Sequence, residues 1–581
     1  MSWLSVRTRI GPSLGRSLSK ATRTHITPRR ALSSRVPQGP IGNQMILVGG
    51  VSVALAAAAI SSSPNSWFGL PKVVKEVAEE VIAILPEDQS ENDAKVEVEE
   101  PTQSNKTVAS SQNITNPYVL VGAGTASFSA LQTILEKDVN AKVVMIGDED
   151  ELPYMRPPLS KELWYGPSES GDLKFKDIGH NDRSVYLQHT QDTQYVDSVE
   201  ALQAKEGQGV AFIKGVKVVG LDAKEKRLTL SNGDTVVYEK LLLATGGSPR
   251  TVSELENAEE EVKSHVTLFR KIEDFRKLKE ISDGAESLVV LGGGFLGSEL
   301  AIALAHKGAT SNMKVTQVFP EHGNMGFLLP QYLSTATTEF MRNENVNVIP
   351  SASVESASMS NGKVILKLTN GSEISTDHVV VAAGIEPNVE LAQQARLEID
   401  PKFGGVLVNS ELAARSDIYA AGDCASFHDI TLGRRLVEHH DHAVVSGHLA
   451  GENMANSTQR KSFEHQSMFW GDLGPKLGYE AIGIIDSELE TVGVWAKAKS
   501  STAAQPSGEN SGTITLAERQ KQDEDSEVFN KGVVFYLRNK KVVGVLLWNL
   551  FDKIPTARRV VKDAKQVDDF SELAKVFNVH Q

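Results

Sequence analysis

The 581-residue chain predicts an α/β fold in which a strand, glycine turn, helix, strand unit occurs twice on parallel sheets and an α+β domain follows. Three observations carry this. Short, unbroken apolar runs, Pro117–Val121 and Ser287–Leu291, have the composition of strands buried on both faces. Each runs straight into a glycine-rich turn and a helix-period segment. The last 115 or so residues switch to alternating strands with a hairpin, Val533–Leu537 and Val542–Trp548.

In chain order, residues 1–40 carry eight Lys/Arg, including Arg7, Arg9, Arg16, Arg23, Arg29 and Arg30, and no acid. That is the composition of a mitochondrial transit peptide, the bland alternative being a disordered basic tail. Residues 41–64 contain Met45–Ile60, 16 uncharged apolar residues. This is short of the ~20 needed to span a bilayer unless its flanks contribute, so it reads as a membrane anchor or sorting segment. Residues 65–116 are an acidic linker, with Glu76, Glu79, Glu80, Glu97, Glu99 and Glu100 among few apolar side chains, too polar to offset the entropy of ordering.

The first repeated unit reads Gly122-Ala123-Gly124-Thr125-Ala126-Ser127 after its strand, then a helix, then Lys142–Ile146 ending near Asp148, 24 residues past Gly124. Glycine is needed where the strand turns and where a pyrophosphate approaches the backbone. The helix start offers free N–H groups, and the acid accepts from a ribose hydroxyl. Alone, such a unit is also compatible with an ordinary βα turn. The loop Glu151–Trp164 places Arg156 and Lys161 just beyond that strand, stiffened by Pro157-Pro158; a solvated loop is the alternative. Short strands with a turn at Asn232-Gly233-Asp234 follow, and Leu241–Gly246 closes the block.

The second unit is a full G-x-G-x-x-G, Gly292-Gly-Gly294-Phe295-Leu296-Gly297, with Glu299 in its helix and Val315–Phe319 leading to Glu321, 27 residues past Gly294. Two Rossmann-like dinucleotide-binding domains are therefore predicted. An acid at 321 repels a 2′-phosphate and favours NAD over NADP, although His322 lies beside it. Val379–Gly384 closes this unit, and Ile418–Asp423 is a further strand ending in Gly-Asp. In Val437-Glu438-His439-His440-Asp441-His442 the ligand-type residues lack the spacing that metal sites use, so no metal is expected. Residues 498–530 form a polar loop far longer than ordinary connections.

The formal charge is −14 overall, and residues 41–581 carry −22, which argues against a general nucleic-acid binder. Cys424 is the sole cysteine, so a Cys-x-x-Cys redox pair and a thiolate zinc site are excluded. Redox chemistry must then belong to a bound cofactor.

Two nucleotide fingerprints, an Ala-Gly-Asp strand end and an α+β C-terminal domain resemble the glutathione-reductase-like FAD/NAD flavoproteins. Six longer blocks, LPYMRPPLSKELW (152–164), LFRKIEDF (268–275), GGGFLGSELA (292–301), VEHHDHAVVSG (437–447), HQSMFWGDLGP (465–475) and LGYEAIG (477–483), resemble the mitochondrial apoptosis-inducing-factor branch of that family. The resemblance implies an FAD-binding domain from 117–247 and 386–467, an NAD-binding domain from 248–385 and a C-terminal domain from 468–581. FAD would be held by Gly122, Ala123, Gly124, Thr125, Ala126, Asp148, Arg156, Lys161, Val218, Arg270, Asp423, His439, His440 and Trp470. NAD(H) would be held by Phe295, Leu296, Glu321, Gly384, Glu438 and Glu480. Lys161, Glu299 and His439 would lie at the reacting centre.

The resemblance also implies NADH oxidation, a homodimer formed on reduction and an intermembrane-space location with the inner membrane held through 45–60. It further implies an import-oxidase partner, support of respiratory-chain biogenesis, and a pro-apoptotic role on release to cytosol or nucleus. DNA binding through Lys240, Arg250, Lys497 and Lys499 stands against the acidic charge. A redox-sensing interaction protein with slow turnover is the alternative. The chain departs from the family at Phe327 (for Lys), Ile178 (for Trp), Asp552 (for Asn) and Leu407 (for Arg), whereas Glu398, Arg415 and Arg434 match dimer-contact positions. These departures bear on NAD affinity and dimer strength.

Overall fold

A computed structural model describes residues 115–166, 173–176, 181–187, 195–456, 458–496, 529–563 and 565–579. The transit and anchor segments, the linker up to residue 114, Ile178, Lys497, Lys499 and nearly all of the long polar loop lie outside them, whereas Thr115 and Asn116, expected in the linker, already belong to the first strand because they pair with Val237 and Tyr238.

The first unit runs from β1 (Thr115–Val121) through α1 (Thr125–Lys137) to β2 (Lys142–Ile146), β3 (Gly209–Ile213) and β4 (Thr235–Leu243). Val119, Leu120, Val143, Val144, Leu241 and Leu242 have no exposed surface, which is why these strands read as unbroken apolar runs. The second unit repeats the pattern with β5 (Val266–Leu268), β6 (Ser287–Leu291), α2 (Phe295–Ser311), β7 (Lys314–Val318), β8 (Val346–Ile349) and β9 (His378–Val381). These five strands form one all-parallel sheet, in the order β5-β9-β6-β7-β8, and a small antiparallel sheet, residues 354–376, is inserted before β9. β10 (Ile418–Ala420) then returns the chain to the first sheet, whose parallel centre runs β10-β4-β1-β2-β3.

α3 (His440–Ala455) packs against α1 at close range. A methyl group added at Gly447 would lie 2.2 Å from the Ala126 carbonyl oxygen, and one at Gly451 2.5 Å from that of Ala130. Two small residues one turn apart on each helix thus let the backbones meet, and the start of α3 is set beside the first glycine turn. The C-terminal sheet is antiparallel, β11 (Met468–Leu473), β12 (Leu477–Gly483), β13 (Glu490–Trp495), β14 (Gly532–Arg538) and β15 (Lys541–Trp548), ordered β11-β12-β15-β14-β13. β12 pairs on both sides, with β11 and β15, and every residue in it is buried.

The 151–164 segment is not a solvated loop. It folds into two 3₁₀ turns, Pro157–Ser160 and Glu162–Trp164, with Leu159, Ser160 and Lys161 buried. Proline at the first turn pre-sets φ and loses no needed N–H.

Candidate functional site

The two glycine turns are near copies. Gly122 (φ +98°) and Gly292 (φ +128°) occupy backbone that side chains rarely adopt. A Cβ on either would stand 2.2 Å from a carbonyl oxygen of the closing strand's end, Ala244 or Ala382. Each turn is followed by a glycine at the helix N-cap, Gly124 and Gly294, with no capping side chain, no acid in the first turn and nothing within 4 Å of an added Cβ. The first-turn N–H groups of α1 and α2 therefore face open space with their positive dipole ends, the cradle a pyrophosphate fits.

Both turns open on one cavity of about 720 Å³. Of the predicted residues, Gly122 to Ala126, Asp148, Arg156, Lys161, Arg270 and Asp423 line it, with His439, His440 and Trp470. Phe295, Leu296, Glu299, Gly384 and Glu438 line it too, and so does Phe327.

At its centre Lys161 Nζ lies 2.8 Å from Glu299 Oε2, which also accepts from Ser160 Oγ at 2.7 Å. Burial disfavours the Lys161 ammonium, but the Glu299 carboxylate and its hydrogen bond outweigh it and the pKa is raised. Burial raises the Glu299 carboxyl against the pull of Lys161. Asp472 is pushed up to about 6, again by burial. The Arg156 guanidinium is held by Glu149 (2.9 Å), the Tyr154 hydroxyl (2.6 Å) and the Arg270 carbonyl (3.1 Å), while Arg270 pairs with Asp423 at 3.1 Å. Asp148 pairs with Lys271 at 3.2 Å near the rim. Burial, helped by the Asp423 carboxylate, lifts Glu438 to about 7 against Arg270 and Arg250.

The consecutive histidines have separate surroundings. His439 stacks on Phe469 (4.6 Å, 22°), and burial lowers it to about 4, so its imidazole is neutral at physiological pH. His440 meets Trp470 edge-on, Asp441 Oδ2 lies 2.8 Å from His465 Nε2, and His442 Nδ1 lies 3.0 Å from Ser467 Oγ. Phe295 completes the wall, 5.0 Å from Phe469 and stacked 5.7 Å from Tyr479.

Three predicted residues are not on the cavity wall. Val218 is buried in the apolar core of the first unit, in the strand Val218–Asp222. Glu480 sits in β12 directly opposite Trp470, on the same face of the sheet but on the next strand in from the wall, with no exposed surface and both carboxylate oxygens buried and unpartnered among the described residues. Glu321 follows β7 with one oxygen buried and lacking a partner among the described residues. Reading the sequence missed Ser160, Glu149, Tyr154, Lys271 and Phe469. All but Glu149 fall inside the quoted blocks, yet nothing in their spacing signals that folding turns them to one cavity.

The model for pyridine nucleotide-disulphide oxidoreductases matches residues 116–447, and that for the apoptosis-inducing factor, mitochondrion-associated, C-terminal domain matches residues 450–563. The chain is 43% identical over 488 residues to a putative mitochondrial apoptosis-inducing factor 1 of Drosophila melanogaster, covering 80% of this chain and 65% of that protein. It is 38% identical over 463 residues to mitochondrial apoptosis-inducing factor 1 of Dictyostelium discoideum, covering 78% and 80%. In fold it is similar to a ferredoxin reductase from Rhodopseudomonas palustris (TM-score 0.61, 22% identity, 80% of this chain and 99% of that one). A putidaredoxin reductase in complex with putidaredoxin is also similar (TM-score 0.62, 22% identity, 80% and 96%). With two bare glycine turns on one cavity and these matches over most of its length, the chain belongs to the pyridine nucleotide-disulphide oxidoreductase family, in the apoptosis-inducing-factor branch, as an oxidoreductase that uses FAD and NAD(H).

Proposed function

We propose that the protein is an FAD-dependent NADH oxidoreductase, with FAD on the first glycine turn (117–247 and 386–467) and NADH on the second (248–385). The observation that carries this reading is the pair of uncapped helix starts facing a single cavity, with the Lys161–Glu299 ion pair between the two units. When bound, FAD supplies the acceptor for a hydride from the nicotinamide. The chain's own part is to bind and orient. Lys161 keeps a cation in a water-poor site, where it favours an anionic partner, and Glu299 limits that bias. His439 and Phe469 offer a flat, neutral face. Buried Cys424, the lone cysteine, supports an acceptor other than a substrate disulfide, leaving quinones, oxygen or dyes.

On location and partners the reading is mitochondrial intermembrane space, residues 45–60 on the inner membrane, and an import oxidase as partner in respiratory-chain biogenesis. A pro-apoptotic role would follow release. The names of the Drosophila and Dictyostelium relatives support the mitochondrial assignment. Among the described residues no helix is long and apolar enough to cross a membrane, and 45–60 lies outside them. For a reduction-driven homodimer, Glu398 and Arg415 are exposed, but the Arg434 guanidinium is committed to the Val408 and Ser426 carbonyls at 2.7 and 2.9 Å.

A redox-sensing interaction protein with slow turnover is the second reading. It is favoured by the ties between cavity lip and C-terminal domain: Ser487 N–H, in the connection from β12 to β13, donates to the Phe327 carbonyl (2.9 Å) and Tyr536 O–H to that of Leu328 (2.9 Å). Anaerobic titration of the purified protein with NADH, following flavin absorbance and molecular mass together, separates the two. Stoichiometric bleaching with fast turnover on a quinone supports the oxidoreductase. A long-lived reduced state with a change of mass supports the sensor, and a colourless protein that refuses FAD overturns both.

A further inference from the structure

The second nucleotide unit holds a polar cluster in the middle of its core. Asn324, Gln317, Ser298 and Ser334 have no exposed surface and Thr338 is 3% exposed. Asn324 is the hub. Its Nδ2 donates to Ser298 Oγ and to Gln317 Oε1, both at 2.9 Å, and its Oδ1 accepts from Thr338 Oγ1 at 3.0 Å. Its backbone N–H donates to Thr338 Oγ1 at 2.8 Å, and its carbonyl accepts from Ser334 Oγ at 2.8 Å. Gln317 Nε2 carries the network on to the Gly292 carbonyl at 2.9 Å, and Met325 N–H reaches the Gly293 carbonyl at 2.7 Å.

Every hydrogen-bonding arm of the Asn324 amide except one acceptor lone pair is therefore used, inside a sheet–helix layer that apolar side chains would fill at lower risk. A buried polar network of this kind selects one arrangement, since any shift leaves donors unpaired at about 1–3 kcal/mol each. What it selects is the path of residues 321–328. That loop is tightly wound: Met325 has φ +55°, and a Cβ at Gly326 would lie 2.9 Å from that of Glu321. It begins at Glu321 and ends on the cavity wall with Phe327 and Leu328. Among the described residues the first unit holds its loop after β2 differently, through charged pairs rather than a buried amide hub: Glu149 with Arg156 and the Tyr154 hydroxyl, and nearer the rim Lys271 with Asp148 and Arg276 with Glu151.

We infer that Asn324 is a positioning residue for nucleotide choice: its amide network fastens the 321–328 loop to the second glycine turn, so that Glu321 and Phe327 meet the adenosine half of a nicotinamide dinucleotide in one fixed arrangement. This rests on the proposal that the second turn holds NADH. Asn324 touches no nucleotide itself and acts through the loop.

The test uses the full holoprotein with three variants. Asn324→Asp keeps the shape but loses both donors; Thr338→Val loses the hydroxyl that Asn324 uses twice; Thr338→Ser restores it. NAD+ affinity by calorimetry, kcat/KM for NADH and NADPH, and amide hydrogen exchange of 321–328 are read together with flavin content. For Asn324→Asp and Thr338→Val, about tenfold weaker NAD+ binding and a comparable fall in the NADH:NADPH preference are expected, with flavin content and kcat kept. The loop amides should lose protection, and Thr338→Ser should behave as the parent protein. Thr338→Val that lowers the melting temperature but keeps NAD+ affinity and the NADH:NADPH ratio would reduce the network to a structural role and overturn the inference. Parent protein that binds FAD but no NAD+ would overturn the reading beneath it, and the same calorimetry shows that case separately.

Discussion

Lys161 and Glu299 lie 2.8 Å apart, 10% and 4% exposed, one from the 3₁₀ segment that follows β2 within the first nucleotide unit and the other from the helix of the second. No stretch of sequence links them. The pair joins the two units on the lining of the cavity, and Ser160 fills a further acceptor site on the carboxylate.

Removing one partner of such a pair leaves a buried charge without compensation. Glu299→Ala should cost about 3–5 kcal/mol in urea unfolding, and Glu299→Gln less, because the amide oxygen still accepts from Lys161 and Ser160. A loss below about 1 kcal/mol for Glu299→Ala would show the pair to be solvated.

The two glycine turns should be separable. Gly122→Ala drives a Cβ toward the Ala244 carbonyl and should give protein depleted of flavin. Gly292→Ala meets the Ala382 carbonyl in the same way and should stay yellow while losing NAD+ binding. Absorbance at the flavin bands and NAD+ calorimetry on both variants check the assignment, and the reverse pattern would exchange the two sites.

Burial, reinforced by Asp552 and Asp472, pushes the Glu480 carboxyl up to about 8 from an ordinary 4.5. The folded protein then binds this proton more tightly than the unfolded chain. Its stabilising effect is complete below about pH 4.5 and is lost as pH rises to about 8. Between pH 5 and 8 one such proton tilts stability downward by up to about 1.4 kcal/mol per pH unit. Glu480→Gln should flatten that slope and be more stable than the parent at pH 9. Urea midpoints measured from pH 5 to 9 decide it, and parallel slopes for the two proteins would contradict the prediction.

The proposed role of the 321–328 loop sets an expectation for nucleotide preference. NADH should exceed NADPH in kcat/KM, and Glu321→Arg should narrow or reverse the preference by relieving repulsion of a 2′-phosphate. Phe327 is 72% exposed on the cavity wall, where a cation would face the phosphates. Phe327→Lys should tighten NAD+ binding and lengthen the reduced state measured without oxygen. Unchanged NAD+ affinity in Phe327→Lys would remove position 327 from the nucleotide site.

Much of this protein is legible before folding because its signals are local. A buried parallel strand needs an unbroken apolar run, a turn that meets a carbonyl at 2.2 Å needs glycine, and a helix that cradles phosphate needs an uncapped start. Each requirement falls on residues adjacent in the chain, and so β1, β6, Gly122, Gly292 and the acid-ended second strands could be read directly. The antiparallel C-terminal sheet was legible for the same reason, through its alternation and hairpin. What folding alone decided are contacts between residues far apart in sequence. Ser160 and Lys161 meet Glu299 across 138 or more positions, α3 closes on α1 through Gly447 and Gly451, and β10 rejoins the first sheet after the whole second unit has intervened. The same holds for Glu480, which the block LGYEAIG suggested as a nucleotide contact but which strand pairing sets beside Trp470, fully buried one strand in from the cavity wall. A side chain's identity and spacing determine which element it joins, whereas its neighbours depend on how the sheets pack, because burial and pairing energies act through space rather than along the chain.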